Sequence, residues 1–225
     1  MKTFRRPLLL LFLLLVLAGV VGWGLFFRER ASNDTARENQ RLREILSRLG
    51  TEYRIADVVV TGQEGPPGRA RRTTFRFQEY DRDGNALEPR AFTIAGDVGY
   101  FDALVLKFDD TYVGAADPLR GRSLHLFRRV FGEYQAPADA WLLDPASPDG
   151  VPAPMRLGLG SFETELWASF WTLAADPDAA AKQGVRVAQG EAVYTRLEAG
   201  HTYRLTIEAD GGLNIRPAPL VAARN

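Results

Sequence analysis

Few side chains in this sequence can do proton chemistry, and they are scattered. His125 and His201 are the only histidines, and there is no cysteine. That excludes disulfides, a thiolate nucleophile and thiolate metal sites, and it leaves His-based triads and metal centres little to draw on. His125 lies in Leu124–Phe131, a stretch that reads as a strand and also holds Arg128 and Arg129. An imidazole there could act as a general base. No nucleophile stands at a recognisable spacing from it, so His125 is expected to be a surface or hydrogen-bonded structural residue.

The carboxylates offer a second chemistry. A glycan hydrolase needs two of them flanking the scissile bond. Glu163, Glu165, Asp109 and Asp110 are the first candidates, and spacing alone does not pair them. Asp109 and Asp110 are adjacent, so on a strand they would point to opposite faces. Asp81, Asp83 and Asn85 have the i, i+2, i+4 spacing of a calcium loop. However, Ala86 stands where that loop wants glycine, and Phe92 where it wants a bidentate Glu. A tight turn explains the same residues.

Phosphate and nucleophile motifs are missing or broken. Gly158-Leu159-Gly160 begins a dinucleotide pattern, but Glu163 holds the place of its third glycine. No Gly-Lys-Ser/Thr, Gly-x-Ser-x-Gly or His-Glu-x-x-His occurs. No catalytic, cofactor-binding or metal-binding residue is therefore assigned, and no cofactor is expected.

The elements that would position these groups begin with Leu8–Phe27, an uncharged run of about twenty residues. At about 1.5 Å per residue a helix of that length crosses a bilayer core of about 30 Å. The run is too long for the apolar core of a cleaved signal peptide, and no Ala-x-Ala-like site follows Ala18. A retained transmembrane anchor is the reading. Arg5-Arg6 is a formal twin-arginine pair, but basic residues flanking a membrane helix explain it. Lys2, Arg5 and Arg6 favour a cytoplasmic tail over residues 1–7, although Arg28, Arg30, Arg37, Arg41 and Arg43 make the far flank basic too. Trp23, Phe26 and Phe27 suit an interfacial belt. Ala18 and Gly22 form a small-xxx-small pair of the kind common in such helices.

Residues 28–51 read as a juxtamembrane helical stalk. Asn33 or Asp34 can cap it, Gly50 can end it, and Leu42, Ile45, Leu46 and Leu49 form a stripe. Thr35 breaks the heptad one turn earlier, so a coiled coil is not supported. Asn33-Asp34-Thr35 is also a formal glycosylation triplet, in a helix-start context close to the membrane.

Residues 52–216 read as one β-rich domain, mainly β in an α+β class, with a flexible tail over 217–225. Expected strands are Tyr53–Thr61, Thr73–Tyr80, Arg90–Ala95, Tyr100–Phe108 and Leu124–Phe131. The second and third form a hairpin around Asp81–Asn85. Glycine-rich turns then separate Val185–Gln189, Ala192–Leu197, Tyr203–Glu208 and Leu213–Arg216, which predicts an antiparallel meander. The proline-rich segment Ala136–Pro154, interrupted by Trp141-Leu142-Leu143, is a long loop and a candidate binding surface. Ser161 is expected to cap one amphipathic helix whose apolar face carries Phe162, Leu166, Phe170 and Leu173, widened by Trp167 and Trp171. Asp176-Pro177 should end that helix and cap a shorter one stopped at Gly184.

Lys plus Arg and Asp plus Glu number 28 each, so no net field draws in nucleic acid, and none is expected as a partner. The expected partners are the lipid bilayer, through residues 8–27, and another envelope protein. The expected function is a single-pass, membrane-anchored bacterial envelope protein of the inner membrane. Its C-terminal domain would lie outside the cytoplasm as a binding or assembly module. The rival is a carboxylate-dependent hydrolase acting on an envelope glycan.

Overall fold

A computed structural model describes Trp23, residues 37–144 and residues 160–218. The anchor (Trp23 apart), the capping and glycosylation residues 33–35, residues 145–159 and the tail from 219 lie outside the described residues. Among those described, no helix is long and apolar enough to cross a membrane. The chain divides between Leu46 and Ser47 into two units. In the first, residues 37–46 are helical, and the helix (α1) runs on to residue 49. Leu42 and Leu46 of the expected stripe are exposed, while Leu49, in the second unit, packs on the domain's core.

The second unit is mainly antiparallel β, with nine strands among the described residues. They are β1 (Glu52–Glu64), β2 (Arg72–Glu79), β3 (Arg90–Ala95), β4 (Val98–Phe108), β5 (Leu124–Gly132), β6 (Trp141–Leu142), β7 (Val185–Arg196), β8 (Thr202–Glu208) and β9 (Leu213–Pro217). One sheet has the order β3-β2-β1-β8-β9 and the other β6-β5-β4-β7. Short helices are α2 (Asp110–Gly114), α3 (Ser161–Ala168), α4 (Phe170–Ala175) and α5 (Pro177–Lys182).

Strand period builds two apolar layers. In β2, Phe75 and Phe77 are buried while Arg76 is exposed. In β4, Phe101, Ala103 and Val105 face the five-stranded sheet, and Leu104, Leu106 and Phe108 face the other way. The inner layer is aromatic: Phe77 stacks on Phe101 at 6.1 Å and meets Phe127 edge-on at 5.2 Å. The outer layer takes Leu166, Trp167, Phe170 and Leu173 from α3 and α4. The five-stranded sheet turns Thr74, Arg76, Gln78 and Arg204 to its far side, with Asp57 held there by Arg54 and Arg204.

Side chains tie the sheets at both edges. On one, the Trp141 indole N–H donates to the Thr93 carbonyl of β3 (2.8 Å), and Arg90 donates to the Leu143 carbonyl (3.0 Å). On the other, Glu191 of β7 pairs with Lys107 (2.6 Å) and accepts from the Leu213 N–H of β9 (3.2 Å). Gly132 is required where β5 ends, because a Cβ there would strike the Ala95 backbone.

Four expectations need correction. The last strands do not form a meander: β7 pairs with β4, whereas β8 pairs with β1 and β9. The chain changes sheets at the Ala199-Gly200 turn, and turn chemistry alone does not say whether the next strand pairs with its neighbour. Val185–Gln189 and Ala192–Leu197 are one strand that passes through Gly190 without a break. The expected long helix breaks at Ser169 into α3 and α4; Trp167 is buried, but Trp171 is about half exposed. Ser161 is the first helical residue and not the cap; Gly160 holds that position with no side-chain bond. By contrast, Asp176 does cap α5, accepting from the N–H groups of Asp178 (2.9 Å) and Ala179 (3.1 Å).

Because β4 is packed on both faces, Phe101→Ala and Leu106→Ala should each destabilise the domain, by roughly 3–5 and 2–5 kcal/mol. Tyr194→Ala, on a residue 65% exposed, should cost less than about 1 kcal/mol. Urea denaturation of the three variants checks this ordering.

Candidate functional site

One end of the sandwich is left open. There, a cavity of about 390 Å³ lies between the start of β1, the turn after β2, the start of β5 and α3. That is within the usual range for small-ligand sites, about 300–1,000 Å³. Tyr53, Ile55, Leu124, Trp167 and Ile207 give it apolar walls. Arg54, Tyr80, Arg82, Arg122, His125 and Glu163 give it polar ones.

Each polar group is positioned by a different element. Glu163 is on the first turn of α3 and is buried. It forms an ion pair with Arg82, whose guanidinium also donates to the carbonyls of Pro118 (3.3 Å) and Leu119 (3.2 Å). Arg122 donates to the Arg82 carbonyl and lies over the Tyr53 ring, 5.0 Å from its centroid. No carboxylate among the described residues pairs with Arg122. Burial pushes the pKa of both Arg82 and Arg122 down, and the Arg82 charge lowers that of Arg122 further. Tyr80 is packed under Arg54 and beside Asp57; burial raises its phenol pKa, with the Asp57 charge adding to the effect.

His125 follows the inward register of Val105, its partner on β4, and sits edge-on to Phe127 at 5.2 Å. Its Nε2 is buried and has no hydrogen-bond partner. Burial, with the Arg122 charge second, depresses the imidazole pKa to about 4. It is therefore neutral at physiological pH.

The sequence candidates are dispersed. Glu163 and His125 line the cavity, but Glu165 is exposed on α3 and does not. Asp109 is the N-cap of α2, accepting from the Thr111 N–H (2.9 Å), and Asp110 pairs with Arg186 (3.1 Å). Asp81 holds its own turn, accepting from the N–H groups of Asp83 (2.9 Å) and Asn85 (2.8 Å) and from Asn85 Nδ2 (3.0 Å). Gly84 takes the positive φ of 84° that this turn needs. His201 is exposed near Glu198. Of the proline-rich segment, the described part closes a sheet edge, and its Trp141 and Leu142 are exposed. Sequence reasoning missed Arg82, Arg122 and Tyr80. They are far apart in the chain and carry no motif; a basic residue next to the aspartate turn was the only local signal.

No family model, curated protein or solved structure matches this chain.

The depressed His125 pKa has a definite sign. The unfolded imidazole binds a proton below about pH 6.5, whereas the folded one waits until about pH 4. Stability is thus full above pH 6.5 and falls as pH drops toward 4, by on the order of 2–3 kcal/mol from this group. Urea denaturation between pH 7 and 4 should show that loss, and His125→Phe should flatten it.

Proposed function

We propose that this protein is a membrane-tethered binding module of a bacterial envelope. Leu8–Phe27 anchors it in the inner membrane with residues 1–7 in the cytoplasm. The β-rich domain lies outside the cytoplasm, and the open end of its sandwich is the recognition site. The tether is supported by the length and apolarity of Leu8–Phe27 and by the basic tail before it. The observation that carries the binding reading is the cavity, whose apolar walls hold the Arg122 guanidinium, without an ion pair among the described residues, and a buried His125 ring nitrogen without a hydrogen-bond partner. A folded protein leaves a buried ring nitrogen unsatisfied at a cost, and recognition sites are where that cost is commonly met.

The glycan hydrolase reading is weaker. It requires two carboxylates free to act across a bond. Of the cavity's carboxylates, Glu163 is committed to Arg82, Glu52 pairs with Arg216 (3.0 Å), Asp81 braces its turn and Asp83 is exposed on that turn. None is paired with another as acid and base.

The full chain, expressed in a bacterial host and washed with alkaline carbonate, should remain in the membrane pellet. External protease should reach the domain in spheroplasts. Capture from those membranes, read by mass spectrometry, should retain molecules that Arg122→Glu loses. Carbonate release of a chain trimmed near its start would sink the tether, and an identical captured set for both proteins would sink the binding site.

A further inference from the structure

The groups that remain uncommitted in the cavity define the kind of ligand it suits. Its basic side chains are Arg54, Arg82 and Arg122. Arg54 is spent on Asp57 and Arg82 on Glu163. Arg122 keeps its positive charge, half-buried, held by a carbonyl and a ring face and, among the described residues, by no ion pair with a carboxylate. Its neighbour His125 presents an Nε2 with nothing to bond. A cation entering here would meet the Arg122 charge, and of the lining's acids only Asp83, exposed on its turn, is not held in an ion pair or a turn. A neutral apolar molecule would leave the His125 Nε2 unsatisfied and the Arg122 charge without a counter-charge, which is costly in a partly buried site.

We propose that the cavity takes the acidic head of a small organic anion, a carboxylate or a phosphate monoester, carried on an apolar body. Arg122 supplies the counter-charge and His125 Nε2–H a hydrogen bond, while the body lies against Tyr53, Ile55, Leu124, Trp167 and Ile207. This rests on reading the cavity as the recognition site. A guanidinium suits both head groups because its N–H fork matches two oxygens at once. The neutral imidazole serves as donor in its Nε2–H tautomer, without the desolvation cost of a second buried charge. Glu163, by neutralising Arg82, leaves Arg122 as the cation available to an anionic head. The remaining carboxylates, Glu52, Asp81 and Asp83, are held by an ion pair, held in the turn or exposed; none makes an ion pair with Arg122, although the Asp83 and Asp81 charges act on it at longer range.

The test uses the full chain in phosphatidylcholine nanodiscs and three matched probes: phenylacetate, phenyl phosphate and the neutral phenylacetamide. Calorimetry should show at least one anion binding about tenfold or more tightly than the amide. Arg122→Gln should remove that preference, and Arg122→Lys should restore part of it. The ring nitrogens of His125, followed by NMR, should shift with the anion and not with the amide. If Arg122→Gln lowers the unfolding temperature, His125→Phe provides the same comparison, since it removes the donor and keeps a ring of similar shape. The better of the two anions identifies the head group.

Amide and anions binding equally would overturn the anion proposal while leaving a binding cavity. Anion binding unchanged in Arg122→Gln, Arg122→Lys and His125→Phe would place it elsewhere and also overturn it. If no probe binds, this proposal falls. The wider binding reading falls with it only if Arg122→Glu also retains the captured set described above.

Discussion

Strand β4 is buried on both faces over residues 103–106, and the rest of the domain follows from that. Phe101, Ala103 and Val105 enter one apolar layer and Leu104, Leu106 and Phe108 the other, so each face needs its own cover. The five-stranded sheet covers one and the short helices the other. Antiparallel sheets more often keep one wet face. Here that role is left to the five-stranded sheet, whose outer side is Thr, Arg and Gln. The order of layers is thus sheet, sheet, helix, with the densest aromatic packing in the first interface.

The cavity is a by-product of that order. The inner layer is filled by the aromatic rings of Phe75, Phe77, Phe101 and Phe127, but it is not closed at the end where β1 and β5 begin. Polar residues at that end cannot all reach water or one another. Arg82 resolves its position by pairing with a helix carboxylate and two carbonyls. His125 inherits an inward-facing register from β5 and resolves its position by staying neutral. The electrostatics of the open end are therefore set by strand register as much as by composition, since shifting β5 by one residue would turn the imidazole out and Leu124 in.

Much of the fold was legible from periodicity. Phe75/Phe77, Phe92/Ile94 and Leu104/Leu106/Phe108 mark their faces in the sequence, and each set is buried as patterned. Pairing over long distances was not legible. Nothing near Val185–Arg196 says that it belongs beside β4 rather than β8, because the information lies in contacts some ninety residues away. The five-residue α2 falls below what local patterning can mark. The site was less legible still. Glu163 stood out as a candidate carboxylate, but its partner Arg82 comes 81 residues earlier, from a turn that looked purely structural. Only the folded chain brings them together.

The way the chain enters its domain has a mechanical meaning. After α1 the backbone passes directly into β1, the middle strand of its sheet, hydrogen-bonded to β2 on one side and β8 on the other. A load applied through the N-terminal segment would act along that strand and strain both ladders in parallel, sharing the force over many bonds instead of peeling an edge one bond at a time. A first strand placed in the middle of its sheet can leave it only by breaking the ladders on both sides.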